Sequence, residues 1–298
     1  MRSIRDFQLS LFGGVNASQI VNVASVSQRS PFRYPGGKTW LVPFVIQWLI
    51  HQPKRPAEFI EPFAGGAIIG LTVAFEQLAN HVTLVELDKE VAAVWKTIIY
   101  GNYEWLADQV IHFDLTPENV DRELSKTDVS VEEKAFQTIL RNRINRGGIL
   151  APGAGRIKNG ENGKGIKSRW YPETLRKRIL SIGKIRDRIT FIEGDGLKFL
   201  GQNASRPDVV YFIDPPYTAA GKKAGARLYT HFEIDHERLF AIAETLQGDF
   251  LMTYDNALGV KQMAEQHGFV TDLVAMKNTH HTEMMELLIS RSLEWLYG

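Results

Sequence analysis

The run Val209-Val210-Tyr211-Phe212-Ile213, followed by Asp214-Pro215-Pro216-Tyr217, leaves this chain few architectures. Five consecutive β-branched or aromatic residues show no polar alternation, so the strand they form is covered on both faces, like a strand in the middle of a parallel sheet. Two prolines then stop both strand and helix. Asp214 precedes a proline and is pushed toward an extended conformation, which projects its carboxylate at the strand's carboxyl end, where open α/β sheets hold ligands. Pro215 has no N–H, so its surroundings are rich in carbonyl acceptors, and acid and carbonyls together can receive an amino group's hydrogens. Tyr217 offers a flat face for stacking a ring, worth about 1–3 kcal/mol per base in nucleic-acid sites. The plainer alternative is a Pro-Pro turn with an incidental acid.

Composition narrows the chemistry further. At 298 residues, 44% hydrophobic and 23% charged, the chain has the makeup of a soluble globular protein, with room for one large domain or two ordinary ones. The absence of cysteine excludes disulfides, thiolate zinc sites and cysteine nucleophiles. The most apolar run, residues 40–50, is short for a bilayer and carries Pro43 and Gln47. The first thirty residues lack a basic start followed by a long apolar stretch, so a cytoplasmic protein is expected. The net charge of +1 hides an asymmetry: between Arg141 and Thr190, 14 lysines and arginines face only Glu161, Glu173 and Asp187. A one-sided run threaded with Gly and Asn suits a phosphate-contacting segment, although many charge runs are only solvated faces. His280-His281 has no third ligand nearby, and neighbours in a strand point opposite ways, so no metal site is expected.

Upstream of Asp214 the chain alternates strand and helix. Glu58 through Gly66 reads as a strand entering a glycine turn, with a helix over residues 67–78. His81 through Glu86 reads as a second strand whose terminal acid follows Gly66 by 20 residues, the distance at which a carboxylate grips ribose hydroxyls in nucleotide folds. Asp88 competes with Glu86 but suits a helix cap better. Gly36-Gly37-Lys38-Thr39 tempts a phosphate-loop reading, which fails because Phe32 stands where that motif needs glycine. A helical pattern over residues 90–146, broken at Pro117 and Thr127-Asp128, passes into a glycine-rich loop and a helix over residues 173–188. Strands at 189–193 and 250–256, a helix over 235–246, and an antiparallel pair around 269–270 and 286–290 finish the pattern. A basic loop at 221–225 follows the Pro-Pro turn.

Four motifs in this order resemble those of the Dam-like, D12 class adenine-N6 DNA methyltransferases: Tyr34-Pro35-Gly36-Gly37-Lys38, Glu61-Pro62-Phe63-Ala64-Gly65-Gly66, the strand-end Glu86, and Asp214-Pro215-Pro216-Tyr217. The likeness covers residues 31–298, loosely in the recognition insertion. It implies a Rossmann-like α/β methyltransferase sheet, mostly parallel with an antiparallel C-terminal edge, plus a mainly helical target-recognition insertion. The domains expected are a flexible extension (1–30), a catalytic domain (31–100 and 189–298) and a DNA-binding insertion (101–188). The resemblance further implies S-adenosylmethionine bound by Tyr34, Gly36, Gly37, Lys38, Glu61, Phe63, Gly65, Gly66, Glu86, Asp195 and Asp214. In it Lys38 meets the cofactor's methionyl carboxylate and Asp195 the adenine amino group.

The implied reaction is methyl transfer to N6 of an extruded adenine, with Asp214 and the Pro215 carbonyl accepting amino hydrogens and Pro216 and Tyr217 completing the catalytic tetrapeptide. Cytosine N4 shares this chemistry and stays open as an alternative, as does a non-catalytic DNA- or clamp-binding protein that keeps the fold. A cytosine-C5 methylase would need a cysteine and is excluded. Double-stranded DNA is the expected partner, through Arg141, Arg143, Asn145, Arg146, Arg156, Lys158, Lys164, Lys167 and Arg169. Gln8-Leu9-Ser10-Leu11-Phe12 resembles the sliding-clamp-binding motif of bacterial replication and repair proteins, with Gln8, Leu9, Leu11 and Phe12 as its anchors. The alternative is an amphipathic tail folded onto its own domain.

Overall fold

The computed structural model describes residues 15–216, 230–231, 233–277 and 283–297. The clamp-like residues 8–12, Tyr217, the loop 221–225 and His280-His281 lie outside them.

Seven strands form one sheet in the order β3-β2-β1-β4-β5-β7-β6. These are β1 (Glu58–Glu61), β2 (His81–Glu86), β3 (Ile189–Glu193), β4 (Val209–Ile213), β5 (Asp249–Asp255), β6 (Val270–Lys277) and β7 (Glu283–Ser290). β1 to β5 run parallel, and β7 enters antiparallel between β5 and β6. The strand order reverses between β1 and β4, creating a crevice at their carboxyl ends. All five residues of β4 are buried. Val210 and Phe212 enter one core while Val209, Tyr211 and Ile213 enter the other. An uninterrupted apolar run is what a strand needs when both its faces are covered.

One face carries α1 (Val42–Ile50), α2 (Ile68–Glu76) and α3 (Lys89–Ile99). The other carries α8 (Gly196–Asn203), α9 (His236–Thr245) and α10 (Leu258–Gln266). The insertion supplies α4 (Tyr103–His112), α5 (Pro117–Leu124), α6 (Val131–Ile144) and α7 (Pro172–Gly183). Its breaks follow local signals: Asn102 and Thr116 cap α4 and α5, and a Ser130–Glu133 capping box starts α6. The break at Asn102 was not among those expected within residues 90–146. Residues 173–188 do not make one helix either, because α7 ends at Gly183. Leu106, Val110, Phe136, Ile139, Leu175 and Ile179 join the same core as α3, so the insertion shares its interior with the sheet's helical layer.

Residues 15–30 touch the body at their start. Rather than hanging free, Val15 is buried with its N–H on Gln47 Oε1 at 2.8 Å, and Ala17 O accepts from Ala275 N at 3.0 Å beside β6. Among the described residues no helix is long and apolar enough to cross a membrane.

Candidate functional site

β1 delivers Glu61 to the crevice, and the turn after it is built for close approach. Gly65 has φ +46°, and a Cβ there would stand 2.6 Å from the Tyr34 ring, so that ring lies against bare backbone. The turn is pinned from three sides: Gly65 N donates to Glu86 Oε2 at 2.8 Å, Trp95 Nε1 donates to Gly65 O at 2.9 Å, and the Ser30 hydroxyl donates to Gly66 O. Glu61 Oε2 accepts from Gly70 N at 2.8 Å. Burial holds the Glu61 carboxyl well above the usual range, with Asp214 and Glu86 adding to the effect.

β2 ends in Glu86, whose other oxygen accepts from Asp88 N at 2.8 Å. Burial outweighs these N–H donors and raises its pKa to about 7. Asp88 caps α3 through Glu90 N, as its position suggests. Past β3, Asp195 caps α8 with one oxygen, accepting from Leu197 N at 2.8 Å and Lys198 N at 3.3 Å.

β4 ends in Asp214. Its Oδ1 receives Lys38 Nζ at 2.9 Å and the Thr253 hydroxyl at 2.8 Å. Lys38, only 5% exposed, also lies 3.3 Å from Glu286 Oε1 on β7 and donates to Gly36 O at 3.0 Å. Burial raises the Asp214 carboxyl, and the Lys38 charge opposes that rise. Lys38 thus forms an ion-pair bridge from the N-terminal motif to β4 and β7. Thr253, Glu286 and Ser30 carry no motif in the sequence. Their roles come from strands and loops meeting across long chain separations.

One cavity of about 560 Å³ gathers these groups. Tyr34, Gly36, Gly37, Lys38, Glu61, Phe63, Gly65, Gly66, Glu86, Asp195, Asp214, Pro215 and Pro216 all line it. From the insertion come Arg143, Tyr171, Thr174, Leu175 and Arg178, of which only Arg143 was a candidate site residue from the sequence.

The basic candidates divide by environment. Arg143 is 4% exposed and donates to Pro31 O, so it stands in the cavity wall rather than on a surface facing a duplex. Asn145 is also buried, donating to Ile149 O at 2.8 Å where residues 145 and 156 pair. Arg141, Arg156 and Arg169 are paired with Glu90, Asp121 and Glu161. Arg146, Lys158, Lys164 and Lys167 are exposed. Among the described residues no group of three or more His, Asp or Glu could hold a metal ion.

Several solved structures are similar at low scores. An Escherichia coli chain described as a methyltransferase is 11% identical (TM-score 0.34) and covers 85% of this chain and 87% of its own. A Pyrococcus horikoshii chain described as an RNA methyltransferase is 11% identical (TM-score 0.37), covering 97% and 96%. A precorrin-6y C5,15-methyltransferase of Geobacter metallireducens is 9% identical (TM-score 0.34), covering 94% and 96%. Scores this low carry no weight for function. No curated protein matches the sequence significantly. A family model described as D12 class N6 adenine-specific DNA methyltransferase matches residues 34–286, from the Tyr34 motif through Asp214 to Glu286. With the strand order and the cavity, that span identifies the chain as a methyltransferase belonging to the D12 class N6 adenine-specific DNA methyltransferase family.

Proposed function

We propose that the protein methylates N6 of adenine in double-stranded DNA, taking the methyl group from S-adenosylmethionine and receiving the target base extruded from the helix. The observation that carries this reading is the shared cavity: Asp214, braced on Oδ1 by Lys38 and Thr253, opens onto the same space as Glu86 and Asp195. The donor set suits the cofactor. Glu86 and Asp195, at the ends of neighbouring strands, are the acceptors that a ribose diol and an adenine amino group require, and the volume falls in the roughly 300–1,000 Å³ range of small-molecule sites.

When bound, S-adenosylmethionine supplies an electrophilic sulfonium methyl, to which the amino nitrogen bonds directly as S-adenosylhomocysteine leaves and one N6 proton is lost. The chain's part is positioning. Lys38 and Thr253 fix the Asp214 carboxylate by one oxygen, and Oδ2 remains for an N6 hydrogen. The Pro215 carbonyl takes the second hydrogen, which turns the nitrogen lone pair toward the methyl group. Tyr217 stacks on the extruded base and offsets part of the few kcal/mol of unstacking. Residues 101–188 serve target recognition, with residues 31–100 and 189–298 as the catalytic body.

The test is transfer of labelled methyl from S-adenosylmethionine to mixed-sequence duplex DNA, followed by nucleoside analysis. Label should appear as N6-methyladenine, and Asp214→Ala should reduce it by about 10²-fold or more with the melting temperature preserved. Label on cytosine, label on RNA alone, or undiminished transfer by the variant would overturn the assignment. The residues Gln8, Leu9, Leu11 and Phe12 extend the proposal to a bacterial sliding clamp. Pull-down should be lost on replacing Leu11 and Phe12 with Ala, and absence of binding by the unaltered protein refutes that partner.

A further inference from the structure

Three arginines meet in the cavity wall, with Glu161 near Arg33 but with no carboxylate in ion-pair contact among the described residues. Arg33 immediately precedes the Tyr34 motif, Arg143 comes from the end of α6 and Arg178 from α7, and all three line the cavity. Asn142, next to Arg143 on α6, holds the Arg33 backbone by accepting from its N–H at 2.9 Å and donating to its carbonyl at 2.8 Å. Among the described residues none of the three guanidiniums makes an ion pair with a carboxylate. Arg143 Nε and Arg33 Nη1 are buried with no hydrogen-bond partner. Burial, then the charges of Arg178 and Arg33, push the Arg143 pKa down to about 9. Uncompensated buried charge costs several kcal/mol, and unpaired donors add to that cost. A group of guanidiniums held together against their mutual repulsion, with donors left over, is suited to an oxyanion.

Position narrows the choice of oxyanion. Arg178 donates to Ser30 O at 2.9 Å, Arg143 to Pro31 O, and the Ser30 hydroxyl in turn to Gly66 O. The arginines therefore stand just behind the glycine turn. Resting on the proposed cofactor, whose nucleoside Glu86 and Asp195 would hold, the amino-acid end is the part left to reach that turn. Lys38, the other cation expected there, is already shared by Asp214 and Glu286. A DNA phosphodiester is the rival source of an oxyanion, but Arg143 at 4% exposure is poorly placed for a duplex backbone.

We infer that Arg33, Arg143 and Arg178 form the oxyanion site that holds the methionyl carboxylate of S-adenosylmethionine. The test compares binding of S-adenosylmethionine with binding of decarboxylated S-adenosylmethionine by titration calorimetry without DNA. Arg178→Gln and Arg33→Gln are read beside the unaltered protein, and Arg178→Lys is included should either of them melt early. The unaltered protein should prefer the carboxylate-bearing ligand by about tenfold or more, and the preference should fall toward unity in both Gln variants. Affinity for the decarboxylated ligand should change little, which a general loss of structure would not produce.

An unchanged preference in the variants overturns the inference, whether or not DNA affinity falls. A fall in DNA affinity would assign the arginines to phosphate instead. Equal affinity of the unaltered protein for both ligands also sinks the carboxylate site but leaves the methyltransferase reading intact. Failure to bind either ligand would remove both.

Discussion

Glu86 is the site residue whose charge responds to pH near neutrality. Burial raises its pKa to about 7 although Gly65 and Asp88 both donate N–H bonds to it. Ribose hydroxyls donate to the ionised carboxylate, so binding below that pKa must first expel a proton. Cofactor affinity should therefore rise between pH 6 and 8, by up to about tenfold per unit below the pKa, and Glu86→Gln should flatten the rise. Calorimetry across that range checks this, and a pH dependence unchanged in the variant would assign the titration to another group. The linkage to folding has the opposite sign. A carboxyl raised from about 4.5 to about 7 gives its full stabilising share below pH 4.5 and loses it as pH climbs through 7. Glu86 and Asp214 were legible as crevice acids because each stands at a strand end, a local signal, whereas Asp195, which caps α8, was pointed to only by the family resemblance. Thr253 and Glu286 were not legible, since each touches the site only through pairings made late in the chain.

At the scale of elements, the insertion shows what charge counting can and cannot reveal. The excess of lysine and arginine in residues 141–190 is real, but packing sorts it into a buried Arg143 beside the half-buried Arg178, four ion-paired arginines and a remainder whose lysines are exposed. Lys164 and Lys167 belong to that remainder. If this loop meets DNA, replacing both with Gln should lower the slope of log affinity against log salt by about 1–2, with little change in melting temperature. An unchanged slope would remove the loop from the phosphate-contacting surface. The contacts made within residues 15–30 were not legible for a related reason. Their polar composition lacks a period, yet they are held by backbone contacts at Val15 and Ala17 that periodicity does not record.

The whole molecule brings residues distant in sequence into one crevice. Sheet order 3-2-1-4-5-7-6 puts the ends of β1 and β4 side by side where the topology reverses, and α6 and α7 close the space with arginines. The alternation of strand and helix and the antiparallel C-terminal pair could be read from apolar runs of period one and two. The merging of the insertion with the main core could not, because α3, α4, α6 and α7 present ordinary helical stripes that do not name their partners. The account's central claim is that this crevice holds the cofactor beside Asp214. The most direct measurement is a crystal structure with sinefungin, an unreactive amine analogue of S-adenosylmethionine. The adenine amino group should lie at Asp195, the ribose at Glu86, and the amine that replaces the sulfonium methyl beside Asp214. An analogue bound outside the crevice, or within it but with its ribose away from Glu86, would contradict the account.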